Sequence, residues 1–182
     1  MDSITIGGLP GSGTTTVAKI LKEKLDLPHV YAGDMFREMA KEYGMTLSEF
    51  GSYCEKHPEI DKELDKKQEM ILALGNVILE GRLAGWISYR NGIPAFKIWL
   101  ECDEDERVRR VMEREGGKFE DVRAQIRERE KSEKKRYSDF YEIDMDGTSI
   151  YDIVIDTTDI RPEEVVEKIM EKMKEMKSQG NL

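Results

Sequence analysis

Apolar residues follow two different rhythms along the chain. Short runs dominated by apolar residues, which are typical of buried strands, recur at positions 4–6, 29–32, 76–80, 96–100 and 153–155. The segments between these runs carry apolar residues every three or four positions, which is the period of an amphipathic helix. Strands that alternate with helices predict an α/β fold in which a parallel sheet lies between two helical layers. We therefore expect a single five-stranded, doubly wound domain over residues 1–182.

Two intervals between the runs are longer than one crossover helix needs. Residues 34–74 separate the second run from the third, and their pattern predicts three short helices. Residues 114–143 lie between the fourth and fifth runs and predict a highly charged helical pair. Both intervals follow the carboxyl end of a strand, where parallel α/β sheets bind their ligands. We expect the first insertion to hold a second substrate and the second to act as a lid.

The first strand leads into a glycine-rich loop that opens a helix, with the sequence Gly8-Leu9-Pro10-Gly11-Ser12-Gly13-Thr14-Thr15-Thr16. Glycines let backbone N–H groups turn toward an anion, and the helix N-terminus adds partial positive charge. Gly8 and Gly13 have the spacing of the phosphate-binding P-loop G-x-x-x-x-G-K-[ST], and Thr15 fills the position whose hydroxyl binds Mg²⁺. The lysine position holds Thr14. The strand–loop–helix context favours a nucleoside triphosphate site over a merely structural turn.

The composition argues against a nucleic-acid-binding protein, a cysteine metal site and a membrane protein. Charged residues make up 37% of the chain and the net charge is −9, which argues against a general nucleic-acid-binding surface. Cys54 and Cys102 lack metal-site spacing and predict reduced structural thiols, and for the isolated His29 and His57 we expect packing or surface roles rather than catalysis. We expect no signal peptide, and the sequence contains no apolar run of membrane-spanning length. We expect a cytoplasmic protein with no nucleic-acid or membrane partner.

Arginines are concentrated around the predicted lid. A set of them stands at helical spacings of three, four or seven residues, namely Arg107, Arg110, Arg114, Arg123, Arg127, Arg129 and Arg136. The planar guanidinium binds phosphate oxygens in a bidentate manner, so we expect at least two of the set to contact phosphate. The alternative for any one of them is a solvated helix laced with Glu–Arg pairs.

Thr14 increases the need for those arginines, because it leaves the β- and γ-phosphates without the usual fixed lysine. Mg²⁺ on Thr15 supplies part of the missing charge, and we expect lid arginines to supply the remainder. The candidates for catalysis are Arg110, Arg114, Arg129, Arg136 and the carboxylate Glu80.

The third strand ends in Glu80-Gly81-Arg82. A carboxylate at the end of a buried strand beside the P-loop strand can orient Mg²⁺-bound water, and Gly81 permits close approach of the backbone. We expect Arg82 to point into the same crevice and to bind substrate. The alternative is an ordinary strand terminus with exposed polar residues.

The first insertion carries further candidates for substrate binding. Arg37 lies one turn into a helix that starts at a strand end, and we expect it to hold the phosphate of an acceptor. Asp61, Asp65 and Gln68 follow at i, i+4 and i+7 on a later helix. Such a stripe can read a base edge, because a carboxylate accepts from the exocyclic amine of cytosine and an amide pairs with N3 or O2. The equally weighted alternative is a solvated helix face.

Several long and unusual strings carry a family resemblance. They are Ile4-Thr5-Ile6, Gly11-Ser12-Gly13-Thr14-Thr15-Thr16, Val30-Tyr31-Ala32-Gly33, Phe36-Arg37, His57-Pro58-Glu59-Ile60-Asp61, Glu80-Gly81-Arg82-Leu83-Ala84-Gly85-Trp86, Arg136-Tyr137, Ser149-Ile150-Tyr151-Asp152 and Ile155-Asp156-Thr157. Through them essentially the whole chain resembles the archaeal-type cytidylate kinases, which are nucleoside-monophosphate kinases. Those kinases share the threonine at the lysine position, so Thr14 supports the resemblance.

The resemblance implies reversible transfer of the γ-phosphoryl group of ATP to CMP or dCMP, which gives ADP and CDP or dCDP, with Mg²⁺ as cofactor. It also implies a core, a nucleotide-binding insertion and a lid, with the P-loop on the ATP phosphates and Arg37 and Arg82 near the CMP phosphate. The cytosine preference comes from the resemblance and not from composition or spacing.

Two other functions remain open at this point. A kinase for another nucleoside monophosphate, or for a small acceptor such as shikimate, fits the same loop and lid, although the acidic stripe favours a nucleotide. A non-catalytic nucleotide-binding switch that lost activity with its lysine is the alternative from a different class. For the oligomeric state, a monomer is favoured.

Overall fold

The computed structural model describes residues 3–180, and within that range it contains five strands and eight helices. The strands are β1 (Ser3–Gly8), β2 (His29–Tyr31), β3 (Ile78–Glu80), β4 (Ala95–Glu101) and β5 (Ile153–Asp156). The helices are α1 (Thr14–Leu25), α2 (Ala32–Glu42), α3 (Leu47–Cys54), α4 (Pro58–Ala73), α5 (Ala84–Asn91), α6 (Glu104–Glu115), α7 (Phe119–Tyr141) and α8 (Pro162–Ser178). All strands pair in parallel in the order β2-β3-β1-β4-β5, which confirms the predicted α/β fold.

β1 lies at the centre of the sheet, and all six of its residues are buried. A central parallel strand is covered by helices on both faces, so even its polar residues Ser3 and Thr5 are buried. It pairs with β3 through Ile6 and Glu80 and with β4 through Gly8 and Leu100. The carboxyl ends of β1 and β3 therefore meet at one edge, and Glu80 comes to lie beside the glycine-rich loop.

Helices cover the two faces of the sheet. On one face, Leu21 of α1 and Val166 of α8 pack in a cluster with Ile98 of β4. On the other face, Ile87 of α5 packs in a cluster with Trp99, the next residue of the same strand. Successive strand residues point to opposite faces, so the two clusters define the two predicted helical layers. β2 and β3 are shorter than predicted, because only the three residues assigned to each pair with neighbouring strands.

The first predicted insertion is present as three helices, but the prediction of a helical pair over 114–143 is wrong, because α6 already begins at Glu104 and that interval holds only its end and the single helix α7. Between β2 and β3, helices α2, α3 and α4 pack around their own apolar cluster, which includes Phe50 and Leu64. Between β4 and β5, α6 and α7 pack through Val108 and Ile126. α7 is 23 residues long and also contacts α3, so the second insertion rests on the first. The third helix of the first insertion, α4, has 16 residues and is longer than predicted.

Both cysteines are free thiols. Cys54 is buried, and burial raises its pKa to about 12, so the thiol stays protonated. A protonated, buried thiol is a poor nucleophile, which agrees with the structural role predicted for it. Within residues 3–180, no helix combines the length and the apolar character that crossing a membrane requires.

Candidate active site

The glycine-rich loop runs from the end of β1 to the start of α1 as a closed turn. Gly11 and Gly13 have φ angles of 84° and 91°, a conformation that residues with side chains rarely adopt. A Cβ atom at Gly11 would lie 2.5 Å from the carbonyl oxygen of Arg107, so α6 packs directly against the loop. Ser12 Oγ donates a hydrogen bond of 2.7 Å to the carbonyl oxygen of Leu9. The loop is therefore held in place before any ligand arrives, as a phosphate cradle requires.

Glu80 lies beside this loop with an almost fully enclosed side chain, which is 1% exposed. Its Oε1 accepts hydrogen bonds from Thr14 Oγ1 at 2.8 Å and from Thr15 Oγ1 at 2.6 Å. Its Oε2 lies 2.8 Å from Nε2 of His29. Because an ionised carboxylate only accepts, His29 donates in this contact. The alternative of an exposed strand terminus at Glu80 is therefore wrong.

Thr15 and Glu80 offer oxygen donors that suit a magnesium ion. Mg²⁺ usually takes one or two carboxylate or hydroxyl ligands and completes its shell with substrate phosphates and water. Among residues 3–180, no three side chains of His, Cys, Asp or Glu are placed to hold a metal. The hydroxyl of Thr14 is directed at the same carboxylate and adds no positive charge to the loop.

Arg107 and Arg110 both lie against the loop but differ in what they contact. The Arg107 guanidinium donates to the carbonyl oxygens of Pro10 and Cys102 at 3.2 Å each, and its Nη1 lies 2.5 Å from Oε1 of Glu130. These contacts tie the loop to α7, so Arg107 is structural and not a free phosphate ligand. Arg110 Nη2 donates to the carbonyl oxygen of Thr157 at 2.6 Å, and its Nη1 lies 3.7 Å from the Cβ position of Gly13.

The other arginines of α6 and the first half of α7 face solvent or bind neighbouring carboxylates. Arg114 pairs with the adjacent Glu115, and both side chains are more than half exposed. Arg123 pairs with Asp105, and Arg127 binds Glu104 at 2.5 and 2.8 Å, so both hold α7 against the start of α6. For Arg123 and Arg127 the Glu–Arg alternative is correct.

A second cavity lies between the first insertion and α7, the helix of the predicted lid. It is a cavity of about 50 Å³ lined by Tyr31, Phe36, Gly81, Arg82, Arg129 and Arg136, among others. A larger groove of about 670 Å³ shares Phe36, Arg129 and Arg136 with it and continues to Pro10 and Arg114. The groove therefore connects the cavity with the glycine-rich loop. Three of the predicted site arginines come together here from β3–α5 and from α7.

Two of these arginines hold a buried carboxylate between them. Arg82 Nε donates to Oε2 of Glu133 at 2.9 Å, and Arg129 Nε donates to Oε1 of the same residue at 3.1 Å. Burial raises the pKa of Glu133, but Arg82, Arg129 and Arg136 outweigh it, so the pKa lies below its ordinary value. Glu133 is ionised and neutralises a cluster of charge that would attract a phosphate. Sequence reasoning missed this residue, although it lies four positions after Arg129 on α7.

Arg136 forms the third member of the cluster and is almost fully buried. Its Nε lies 2.9 Å from Oδ2 of Asp61, and both side chains are 4% exposed. The two atoms are close without the alignment of a hydrogen bond, and neither has another hydrogen-bond partner within residues 3–180. Burial raises the pKa of Asp61 despite the favourable charge of Arg136. Arg136 also lies over the ring of Phe36, with 5.6 Å from Cζ to the ring centroid.

Arg37 lies on α2 beside the cavity. Its Nη1 donates to Oδ1 of Asp34 at 3.0 Å, and its Cζ lies 5.3 Å from the ring centroid of Tyr31, which lines the cavity. The exposed pair with Asp34 leaves most of the guanidinium donors of Arg37 free to bind a phosphate.

The polar stripe on α4 is buried and lines the same cavity. Asp61 and Gln68 are each 3% exposed, so the alternative of a solvated helix face is wrong. Asp65 accepts hydrogen bonds from Gln68 Nε2 at 3.1 Å and from the hydroxyl of Tyr141 at the end of α7. Burial raises the pKa of Asp65 to about 7.

The two histidines differ in role. His57 pairs with Glu59 and stacks on the ring of Tyr53 at 3.9 Å, which is the predicted surface role. His29 instead contacts Glu80, a role that sequence reasoning missed. The available signal is its position in a strand only three residues long, and that signal is weak without knowing that β2 neighbours β3.

Comparison with known proteins adds a family assignment. A family model described as the cytidylate kinase-like family matches residues 3–159. The cytidylate kinase of Methanocaldococcus jannaschii is 54% identical over 156 residues, which cover 85% of this chain and 88% of that protein. The cytidylate kinase of Pyrococcus horikoshii is 49% identical over 162 residues, which cover 89% and 83% of the two chains.

Solved structures agree on the fold. Shikimate kinase from Bacteroides thetaiotaomicron superposes with a TM-score of 0.60 at 18% identity, over 95% of this chain and 98% of that chain. A gluconokinase from Sinorhizobium meliloti gives a TM-score of 0.61 at 15% identity, over 96% and 93% of the two chains. At such low identity these likenesses concern the architecture alone.

Proposed function

The chain belongs to the cytidylate kinase-like family, and from that premise we propose that it transfers the γ-phosphoryl group of ATP to CMP or dCMP, with Mg²⁺. The observation that carries the proposal is an identity of about half over most of the chain with proteins named cytidylate kinase. The site agrees with it, because a phosphate-binding loop and an arginine-lined cavity are joined by one groove.

The loop is the proposed site for the phosphates of ATP. Phosphoryl transfer needs little covalent chemistry from a protein and depends on positioning, on neutralising charge and on excluding water. The start of α1 and the backbone of the glycine-rich loop supply dipoles for the β- and γ-phosphates. The Thr15 hydroxyl and the Glu80 carboxylate would hold Mg²⁺ and its waters, and when bound the ion neutralises phosphate charge and aligns the transferred group.

The arginine cluster is the proposed site for the phosphate of the acceptor. Arg82, Arg129 and Arg136 converge on the cavity, and Arg37 lies beside it. In this structure, the Glu133 carboxylate accepts hydrogen bonds from Arg82 and Arg129 and neutralises part of their positive charge. A phosphate brings more negative charge than a carboxylate and binds guanidinium in the same bidentate manner, so it would draw Arg82 and Arg129 away from Glu133. Closure of the lid over both substrates would then exclude water.

Because the loop has no lysine, the positive side-chain charge that binds the ATP phosphates must come from the lid. Thr14 donates to Glu80 and brings no charge, whereas Arg110 already lies beside Gly13 and Arg114 lines the groove. We assign to these two arginines the charge that a lysine supplies in other P-loops.

A coupled ADP-release assay with Mg²⁺-ATP and CMP, dCMP, UMP, AMP and GMP in parallel tests the proposal. We expect strong turnover with the cytidine nucleotides alone. Turnover with another monophosphate would keep the reaction class and remove the cytosine preference. ATP binding without turnover of any acceptor, shikimate included, would favour a nucleotide-binding switch and overturn the proposal.

A further inference from the structure

Gln68 on α4 carries a buried acceptor that the described chain leaves unsatisfied. The residue is 3% exposed, and its Nε2 donates to Oδ1 of Asp65 at 3.1 Å. Its Oε1 has no hydrogen-bond partner within residues 3–180. Buried polar atoms are normally paired, because removing them from water without a partner costs free energy. An orphaned oxygen at a substrate cavity is therefore a candidate for contact with the substrate.

The surroundings of this oxygen place it in the acceptor cavity. Gln68, Gly81 and Arg82 line the same space. A Cβ atom at Gly81 would lie only 3.2 Å from Gln68 Oε1, so the glycine keeps a side chain away from this oxygen. The next residue, Arg82, belongs to the cluster assigned to the phosphate of the acceptor. The base subsite and the phosphate subsite thus share one cavity.

Asp65 determines which end of the Gln68 amide faces the cavity. The two carboxylate oxygens of Asp65 accept from the Tyr141 hydroxyl and from Gln68 Nε2. Because Gln68 Nε2 donates to Asp65 Oδ1, the NH₂ group of the amide faces Asp65, and Oε1 is left without a partner within residues 3–180. Tyr141 ends the lid helix α7, so the lid contributes to this orientation.

We infer that Gln68 Oε1 selects cytosine by accepting a hydrogen bond from its exocyclic amine, and that Asp65 is the positioning residue that orients the Gln68 amide. Cytosine carries the N4 amine, a donor, where uracil carries the O4 acceptor. Two facing acceptors repel each other, so the same oxygen disfavours UMP. The roles differ from those the spacing predicts, because both oxygens of Asp65 are already used within the protein. This inference rests on the proposed function.

The first variant is Gln68→Met, which keeps the length of the side chain and removes the amide. The readout is the ratio of kcat/KM for CMP to kcat/KM for UMP. We expect this ratio to fall by about 10- to 100-fold, the discrimination typical of one good base contact. Lys67→Met, at an exposed neighbouring position of α4, is the matched control and should leave the ratio unchanged.

The second variant, Asp65→Asn, preserves shape and tests the positioning role. An amide at this position offers a donor as well as an acceptor, so Gln68 is free to present either end to the base. We expect the ratio to fall because kcat/KM for UMP rises, an outcome that a merely structural defect does not produce. An unchanged ratio in this variant would overturn the role of Asp65.

The outcomes separate this inference from the proposed function. If the unmodified protein turns over no nucleoside monophosphate, the proposed function itself fails. If it turns over CMP and the ratio stays the same in Gln68→Met, the inference about Gln68 fails and the kinase remains. Should either variant lose turnover altogether, calorimetric binding of CMP and UMP gives the same ratio at equilibrium. Equal losses for both nucleotides would also overturn the inference.

Discussion

The donor loop and the acceptor cavity differ in whether their buried polar atoms have hydrogen-bond partners within the protein. At the loop, Glu80 is held by the hydroxyls of Thr14 and Thr15 and by His29, so both carboxylate oxygens have a close partner. At the cavity, Gln68 Oε1 has no partner within residues 3–180, and the buried ion pair of Arg136 lacks hydrogen-bond alignment. At the loop, the polar atoms of Glu80 are satisfied within the protein. At the cavity, the unsatisfied polar atoms are available for hydrogen bonds to the acceptor substrate.

The two regions also differ in how they manage charge. The loop stands on the rigid centre of the sheet and contains no lysine, so its charge must come from outside. The cavity is lined by several arginines. Glu133 of α7 neutralises part of their positive charge through salt bridges with Arg82 and Arg129. Ion pairs of this kind are exchanged when a stronger anion arrives, so we expect the acceptor side to rearrange more than the donor side.

Removing the charge of Glu80 beside the glycine-rich loop has the largest expected effect on catalysis. In Glu80→Gln the shape and one acceptor oxygen are kept, but the negative charge that we propose to hold Mg²⁺ and its waters is lost. We expect kcat to fall about 10²- to 10³-fold, a loss typical for one key electrostatic contact. Steady-state kinetics across a Mg²⁺ titration measure it. Glu104→Gln, at a partly exposed carboxylate on α6, is the control. If kcat of Glu80→Gln stayed within a few-fold of the parent value, the assignment of Glu80 would be contradicted.

Removing one arginine of the acceptor cluster should separate the two regions kinetically. In Arg82→Ala the KM for CMP is expected to rise about 10- to 100-fold, because charge-assisted hydrogen bonds to phosphate are lost. The KM for ATP should change little. Arg127→Ala, which breaks an ion pair on the lid surface, is the matched control. A rise confined to the KM for ATP would mean that the two regions have been assigned the wrong way round.

The missing lysine allows a smaller and reciprocal test. Arg114→Ala should lower kcat/KM for ATP by about tenfold, the effect of losing one partly screened charge contact. Introducing Thr14→Lys into that variant should recover part of the loss, since a lysine restores charge at the loop itself. If neither substitution changes nucleotide affinity or rate, the compensation between lid and loop does not exist.

The last prediction concerns stability and the raised pKa of Asp65. Its pKa of about 7 in the folded protein lies above the ordinary value of 3.8, so the folded state holds a proton that the unfolded state has released between these values. The contribution of Asp65 to stability therefore decreases as pH rises from about 4 to about 7. In Asp65→Asn the free energy of unfolding should decrease less over this range. Urea unfolding at pH 5 and pH 8 measures the difference, and equal pH dependence in both proteins would contradict the assignment.

Asp65 does not titrate in isolation. Tyr141 donates to it, Asp61 lies on the same helix face, and Arg136 reaches the pair from the lid helix. The comparison of Asp65→Asn with its parent cancels the contributions of these neighbours as long as their contacts persist. A Tyr141→Phe variant removes the donated hydrogen bond and serves as the check.

The donor site could be predicted from the sequence because it is local. Glycine spacing, the strand before it and the helix after it are properties of about twenty consecutive residues, and the backbone follows from them. The acceptor site could be predicted only as a set of candidates. Arg82 was proposed from its place at a strand end, and Arg129 and Arg136 were proposed from residue type and helical spacing, but the same spacing also placed Arg107 in the set. The structure shows Arg107 as a tie between the loop and α7.

By itself, the sequence determined the parallel α/β fold, the two insertions and the phosphate loop, since periodicity and glycine spacing act over short distances along the chain. Tertiary structure alone decided the partners: His29 and Glu80 are 51 residues apart, as are Arg82 and Glu133, while Tyr141 and Asp65 are 76 residues apart. Which arginine binds a carboxylate and which faces a cavity depends on burial and on charge across elements that meet only after folding. Local sequence patterns do not reveal the distances between such side chains, and the chemistry of the acceptor site depends on those distances.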